Sequence, residues 1–343
     1  MRLRIIADDL TGALDAAAPF ATPDDPVRLV LDPVGPTADK LTFSSESRDL
    51  DQVAAMARVA AAHAALKGEG CAPTLWFKKV DSVLRGHPLA EALALARAGG
   101  FDRCVFAPAF PQMGRITKDG RQLVKTRSGG WRQTGPDDLR RAFAALIPEH
   151  APGLDLVVIN AETEDDLRTA VQRWQGQPGV LWAGSRGLAQ ALAAPFAPLS
   201  RVSIGLIVLG TNHPVTRAQA RMLKGQVSAV PDVGAFAPCT ATPQLIDPVP
   251  NCQTGAQTGA ALAAVLGRLM PPVDGSALLV TGGDTLTILL AETGADALDC
   301  VGEIGPGLPL SRIIGGRMAG TAIISKSGGF GGPNLLRDLL LLP

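Results

Sequence analysis

Short apolar runs alternate with helically spaced segments along almost the whole chain, and this alternation constrains the fold more than any other feature. "LRIIA" precedes an alanine-rich helix expected from about Gly12 to Phe20. "RLVLD" and "KLTFS" follow, and "DQVAAMARVAAAHAAL" then repeats apolar positions with helical period. "TLWFKKV" leads to "HPLAEALALARA", "LDLVVINA" to "TEDDLRTAVQRW", and "GVLWAGS" to "RGLAQALAA". Strands that alternate with helices predict a mostly parallel sheet with helices on both faces. "APFAPLSR" (Ala194 to Arg201) concentrates prolines without periodicity and reads as a linker. After it "VSIGLIVLG", "ALLVTGG" and "TAIIS" begin a second strand–helix series. The expected architecture is α/β, with two doubly wound domains, residues 1–198 and 199–343, and a cleft between them.

The charge balance removes several classes of partner. Acidic and basic residues number 32 each, so no electrostatic footprint for nucleic acid or anionic membranes exists. No apolar stretch approaches the roughly 20 residues that span a bilayer, and "MRLRIIADDL" lacks the long apolar region of a secretory signal. Five scattered cysteines without a C-x-x-C pair fit reduced thiols in a cytoplasmic protein. The four histidines (His63, His87, His150, His213) form no recognised catalytic or metal motif, and His63 reads as structural.

In open α/β sheets ligands sit outside the carboxyl ends of strands, where the polar motifs of this chain recur. In "ADDLTGALDAA", Asp8 and Asp9 close a strand and precede a helix. One carboxylate suffices as an N-cap; the other is available as a hydroxyl acceptor, a base or a metal contact. In "FKKVDSVLRGHPLAEAL", Lys78, Lys79, Asp81, Ser82 and Arg85 crowd the exit of a buried strand. A solvated ion-pair cluster is the plain alternative. Convergence on a small polyhydroxy acid accounts better for the mixture, since arginine holds a carboxylate bidentately and aspartate holds a hydroxyl. Arg48 in "FSSESRDL", with Ser45 and Ser47, and Arg115 and Lys118 in the loop "FAPAFPQMGRITKDGRQLV" add further cations at strand ends.

Glycines after strands mark the second half. "GLIVLGTNHPVT" turns at Gly210-Thr211-Asn212, "ALLVTGGDTLTILL" at Gly282-Gly283-Asp284-Thr285, and "TAIISKSGGFGG" at Gly328-Gly329. Glycine admits close backbone approach, and a helix N-terminus presents free N–H groups to phosphate. Three such turns point to one shared anion such as a nucleotide triphosphate. Neither the P-loop pattern nor G-x-G-x-x-G with its distant acid is present, which disfavours a dinucleotide site. Gly315-Gly316 read as an ordinary turn.

In order, "ADDLTGA", "SESR", "KKVDSVLRG", "APAFPQMGR", "GSRGLAQAL", "LGTNHPVTRAQ", "TGGDT", "EIGPGLP" and "KSGGFGGPN" resemble the four-carbon acid sugar kinases over nearly the whole chain. The resemblance implies an N-terminal α/β domain for the sugar acid, such as a tetronate or 3-oxo-tetronate, and a C-terminal one for ATP. It implies substrate contacts from Asp8 or Asp9, Arg48, Lys79, Asp81 and Ser82, with Arg85 beside them. ATP contacts would come from Thr211, Gly282 to Thr285, and Gly328 or Gly329. Thr211 stands where the family usually has serine, and "DLTG" replaces the commoner "DFTG". The loop after Gly114 and the region between "TRAQ" and "TGGDT" are shorter than in relatives.

The expected chemistry is Mg²⁺-assisted phosphoryl transfer from ATP, which asks for positioning and charge neutralisation. Arg48, Lys79, Arg85 and Arg115 would hold the acid, and one of Asp8, Asp9 and Asp81 would accept the hydroxyl proton. Closure about the linker would exclude water. The competing expectations are a non-catalytic sugar-acid and nucleotide sensor, and a sugar-acid dehydrogenase or aldolase. A homodimer is the expected assembly.

Overall fold

The computed structural model describes residues 2–33, 38–68, 73–126, 128–147, 153–195, 198–200, 202–230, 242–272 and 275–341. It divides into two compact α/β units: Met1–Phe20 with Leu31–Phe196, and Ala21–Val30 with Ala197–Pro343. Of the linker stretch, Phe196, Ala197 and Arg201 lie outside the described residues, as do Cys71, Cys239 and His150.

The chain enters through β1 (Arg2–Ala7), α1 (Leu10–Ala17), β2 (Val27–Val30), β3 (Lys40–Ser44), α2 (Gln52–Leu66), β4 (Thr74–Lys79), α3 (Pro88–Gly99) and β5 (Arg103–Ala107). A small antiparallel sheet follows, β6 (Arg115–Lys118), β7 (Arg121–Lys125) and β8 (Trp131–Thr134). Then come α4 (Leu139–Ala145), β9 (Asp155–Val158), α5 (Glu164–Trp174), β10 (Val180–Gly184) and α6 (Arg186–Leu192). The main sheet of this unit runs β3-β1-β4-β10-β5-β9, with every pairing parallel. Helix α6 contacts both α1 and α5, and α3 contacts both α2 and α4, the two helix groups of a doubly wound sheet. β1 is central, and its Leu3, Ile5 and Ile6 are fully buried, as a strand covered on both faces requires. From β1 the chain moves outward to β3, and from β4 it moves the opposite way to β5, so the order reverses between β1 and β4.

The second unit contains β11 (Ile204–Leu209), α7 (Pro214–Arg221), β12 (Ser228–Ala229), β13 (Gln244–Ile246), α8 (Gly255–Leu266), β14 (Ala277–Thr281), α9 (Gly283–Thr293), β15 (Ala297–Glu303), β16 (Pro309–Ile314), β17 (Ala322–Lys326) and α10 (Leu335–Leu341). Strands β12-β13-β11-β14-β17 are parallel; β16, β15 and β2 extend the sheet in antiparallel steps. Its core packs Ile207, Leu209, Leu279, Ile324 and Leu336, all fully buried. Here the strand order reverses between β11 and β14.

Local chemistry explains most element ends. Pro88 occupies the first turn of α3, where a missing N–H costs nothing, and Gly100 closes it in the left-handed region at φ +63°. Thr163 and Asp166 form a capping box on α5, and Thr254 and Gln257 form another on α8. Two sequence expectations need correction. The Gly- and Arg-rich stretch after Phe110 is the sheet β6–β8, because Gly114 (φ +67°) and Gly120 (φ +73°) supply tight turns between short strands. "RLVLD" belongs with the later half of the chain, because β2 pairs with β15 from Ala297↔Val30 to Cys300↔Val27, reinforced by the Arg28–Asp299 ion pair at 2.8 Å.

His63 and Cys104 are structural. His63 stacks on Trp76 with ring centroids 4.6 Å apart, and burial pushes its pKa below the usual imidazole value. His87 and His213 sit at the N-caps of α3 and α7. Cys104 is buried, and its thiol is pushed up to about 12, which leaves it unreactive.

Candidate functional sites, one in each unit

In the first unit the carboxyl ends of β3, β1 and β4 bring together most of the polar residues singled out in the sequence. Arg48 follows β3 and donates from Nε to Asp8 Oδ2 at 3.0 Å and from Nη2 to Asp8 Oδ1 at 3.1 Å. Its Nη1 donates to Asp9 Oδ2. Burial works against the Arg48 charge, but Asp8 and Asp9 outweigh it and hold the pKa above the ordinary arginine value. Ser45 and Ser47 serve the turn itself. Ser45 Oγ donates to Ala7 O at 2.8 Å, and the two hydroxyls bond each other at 2.8 Å.

The two adjacent aspartates divide their work. Asp9 is the N-cap of α1, accepting from Gly12 N at 2.8 Å, and Thr11 Oγ1 donates to it at 3.1 Å. Burial pushes the Asp9 carboxyl up, but Arg48, Lys79 and the Gly12 N–H together hold it below the usual range. Asp8 takes the bidentate Arg48 contact and caps nothing. Gly12 is required here: a Cβ at that position would meet Asp9 Oδ1 at 2.3 Å and Lys79 Nζ at 3.1 Å.

Alternation along β4 separates the two lysines. Lys78 points away from the site and pairs with Glu91 of α3 at 2.8 Å, with both side chains almost wholly buried. Lys79 points toward Asp9 and Asp81, and its ammonium makes no hydrogen bond among the described residues. Asp81 accepts from Val83 N at 2.8 Å and from Arg85 Nε at 2.9 Å. Burial opposes its charge, but Arg85, Arg48 and Lys79 hold its pKa at about 2. Arg85 itself is 57% exposed. Ser82 contributes its carbonyl, which accepts from Gln122 Nε2 at 2.7 Å.

Arg115 opens β6. Its Nε is buried and bonds nothing among the described residues. Burial lowers its pKa, against the opposing pull of Asp81 and Asp15. Glu46 (φ +45°) and Leu84 (φ +62°) adopt left-handed conformations at the ends of β3 and β4. Non-glycine residues in that region are uncommon and cluster at functional sites. Four carboxylates, Asp8, Asp9, Asp81 and Asp15, therefore face five cations, Arg48, Lys79, Arg85, Arg115 and the Asp15 partner Arg186. The excess of one positive charge suits a monocarboxylate.

In the second unit the adjacent parallel strands β11, β14 and β17 carry the three glycine turns to one place. A Cβ on Gly328 would lie 3.1 Å from Thr211 Oγ1, and one on Gly282 would lie 3.5 Å from Thr211 Cβ. Gly282 has φ +98° and precedes α9, whose N-terminus no side chain caps. Gly283, Asp284 and Thr285 form the first turn of that helix. The carbonyls of the last glycine loop are drawn inward: Thr216 Oγ1 donates to Gly328 O at 2.7 Å, and Gln219 Nε2 donates to Phe330 O at 3.0 Å. Among the described residues the amides of Gly328 and Gly329 donate to nothing. Unspent amides beside an uncapped helix N-terminus form an anion-binding concavity.

A cavity opens beside these turns, with Val249, Cys252, Leu262 and Ile288 as an apolar wall and Gly210 and Thr285 at its floor. Val249 and Cys252 of this wall precede α8, whose signal in the sequence is the T-x-x-Q capping box that starts it. Sequence motifs did not single out Asp15 on α1 and Arg186 after β10, which pair at 3.5 Å. A buried arginine in "GSRG" was the sign there.

Comparison with known proteins gives a consistent picture. Residues 3–130 match a sugar-binding N-terminal domain, and residues 246–336 match a nucleotide-binding C-terminal domain. A D-threonate kinase of Cupriavidus necator is 30% identical over 379 aligned positions, covering 90% of this chain and 89% of that protein. A D-threonate kinase of Bordetella bronchiseptica is 28% identical, covering 97% and 95%. A 3-oxo-tetronate kinase of Pseudomonas fluorescens is 25% identical, covering 98% and 96%. In fold, a crystal structure from Salmonella typhimurium LT2 superposes at a TM-score of 0.72 with 20% identity, covering 98% of each chain. With both domain profiles matched in order and a relative at this identity over nine-tenths of its length, the chain belongs to the four-carbon acid sugar kinase family.

Proposed function

We propose that this protein is an ATP-dependent kinase that phosphorylates a hydroxyl of a small sugar acid of the tetronate class. The observation that carries the reading is the charged cluster at the β1–β4 reversal, where cations outnumber carboxylates by one. Arg115 and Lys79 have hydrogen-bonding capacity to offer a carboxylate and neighbouring hydroxyls. Asp81 serves as the base. Its main partner, Arg85, is exposed and free to turn onto substrate, whereas Asp9 is committed to the helix cap and Asp8 to Arg48.

In the transfer, the substrate hydroxyl oxygen attacks the γ-phosphorus, the bond from that phosphorus to the β-bridging oxygen breaks, and ADP leaves. The hydroxyl proton passes to Asp81. A carboxylate with a low pKa suffices, because the proton is lost late in a loose phosphoryl-transfer transition state. Thr211, Gly283, Thr285, Gly328 and Gly329 supply hydroxyl and amide donors to the polyphosphate, while Gly282, whose N–H donates to Lys326 O at 2.9 Å, gives room for close approach, and the apolar wall takes the base. Mg²⁺ neutralises phosphate charge when bound. Among the described residues no three His, Cys, Asp or Glu side chains form a metal cage. Asp284 in the first turn of α9 places a carboxylate at these turns, where it would meet the ion.

A thermal-shift panel tests this reading against a sensor and a dehydrogenase. Mg-ATP at 100 times its dissociation constant is expected to stabilise the protein by about 2.7 kcal/mol, with NAD giving no shift. A shift with NAD and none with Mg-ATP contradicts the kinase. Stabilisation by Mg-ATP and a tetronate without ADP release leaves the sensor.

A further inference from the structure

The glycine loop rests on a buried lysine that no part of the proposed chemistry uses. Lys326 ends β17 and is 0% exposed. Its Nζ donates to Ser327 O at 2.9 Å, to Phe330 O at 3.3 Å and to Thr216 Oγ1 at 3.4 Å. Among the described residues no carboxylate pairs with it. The other fully buried lysine, Lys78, has Glu91 as a counterion at 2.8 Å. Burying an unpaired ammonium is costly, and at Lys326 burial brings the pKa down to about 7. The three donors of an ammonium match the three acceptors around it. A neutral amine has only two N–H groups and would turn a lone pair toward an oxygen.

We propose that Lys326 is a positioning residue for nucleotide binding: its ammonium holds the Ser327 and Phe330 carbonyls inward, keeps the Gly328 and Gly329 amides unspent, and has the polyphosphate as its missing counter-charge. The inference rests on the second unit being the ATP site. An anion brought close favours the charged lysine, so nucleotide binding takes up a proton wherever free Lys326 has lost one. Affinity then falls as pH rises above about 7 and levels off once the bound form also loses its proton.

The charged and titratable groups around Lys326 come from β14, α7, α9 and α10. β14 places only Thr281 opposite Lys326. On α7, His213 lies against Gly329, Arg217 pairs with Asp247, and Arg221 is in the last turn. Asp284 is on α9, and Arg337 and Asp338 of α10 pair with each other.

The test is calorimetric titration of the full chain with Mg-ADP at about pH 7.5 and pH 9.5, for the wild type and Lys326→Met, with D-threonate titrated in parallel. Wild-type affinity for Mg-ADP is expected to fall at least about tenfold across this window. Lys326→Met is expected to bind at least about tenfold more weakly at the lower pH, with no pH slope, while D-threonate affinity is unchanged. Wild-type affinity in Lys326→Met, or a pH slope that survives the substitution, overturns the inference alone. Failure of the wild type to bind Mg-ADP overturns the ATP reading and this inference with it. Should Lys326→Met not fold, wild-type binding heats in buffers of different ionisation enthalpy decide. Proton uptake is expected, and its absence overturns the proposal.

Discussion

Replacing Asp81 with asparagine lowers kcat by about 10²- to 10⁴-fold, the usual contribution of a positioned general base, and leaves Mg-ATP binding unchanged. Asparagine keeps an oxygen for the Val83 N–H that closes the turn after β4, so the local backbone is preserved. What it removes is the charge that holds Arg85 and the proton acceptor itself. With a pKa of about 2, Asp81 is ionised at any working pH, so wild-type turnover shows no loss from its protonation until well into the acid range. Asp9→Ala is the informative contrast. It removes the α1 cap, which costs about 1 kcal/mol of stability, and also the carboxylate that Arg48 Nη1 holds, a further loss, and it appears first in the melting temperature. Stopped-turnover kinetics beside a melting curve separates the two. A fall in kcat for Asp81→Asn no larger than tenfold assigns the base elsewhere, and Asp8→Asn is then the variant to compare.

Gly328→Val weakens Mg-ATP binding by about 10- to 100-fold, the loss of one or two charge-assisted amide bonds, while sugar-acid affinity stays as in the wild type. A Cβ at this position lies 3.1 Å from Thr211 Oγ1 and 3.4 Å from His213 Cβ, and two γ-methyls fill the remaining gap between the turns. Gly329→Ala acts in the same direction more mildly, since its Cβ lies 3.2 Å from His213 Nε2. Gly331 serves a different purpose. At φ +86°, with its Cβ position 2.3 Å from Leu335 Cδ2, it shapes the entry to α10, so its substitution reads out as stability. Equal loss of ATP and sugar-acid binding in Gly328→Val assigns the glycine run a structural role throughout.

Much of the fold was legible because period and position carry it. The alternation of buried strands with capped helices is local information, and β1, β4, β11 and β14 lie where the apolar runs stand. The strand ends were readable for the same reason, since Asp8, Arg48 and Asp81 are each fixed by the strand before them. Less was visible where pairing is distant. The partner of β2 is β15, some 270 residues on along the chain. Its apolar run announces a strand without naming the neighbour. The lysine pair shows the limit at a single site. "KK" offers two equal cations, and only the helix across the sheet, with Glu91 on it, decides that Lys78 is structural and Lys79 faces the cluster. Likewise "DD" contains a cap and an arginine clamp, and the hydrogen bond from Gly12 N tells which is which. In the sequence Lys326 is only the first letter of a glycine motif. Its burial and its three oxygen partners appear only once α7 packs over the loop.

The most direct measurement is the product itself. The full chain is incubated with Mg-ATP and, in turn, D-threonate, D-erythronate and a 3-oxo-tetronate, and the phosphorus resonances are followed with time. A kinase of this class gives a new phosphomonoester signal that grows in step with ADP for at least one of the acids and is absent without the acid. ADP accumulating with inorganic phosphate alone, or no turnover with any acid of this size while Mg-ATP binds, contradicts it.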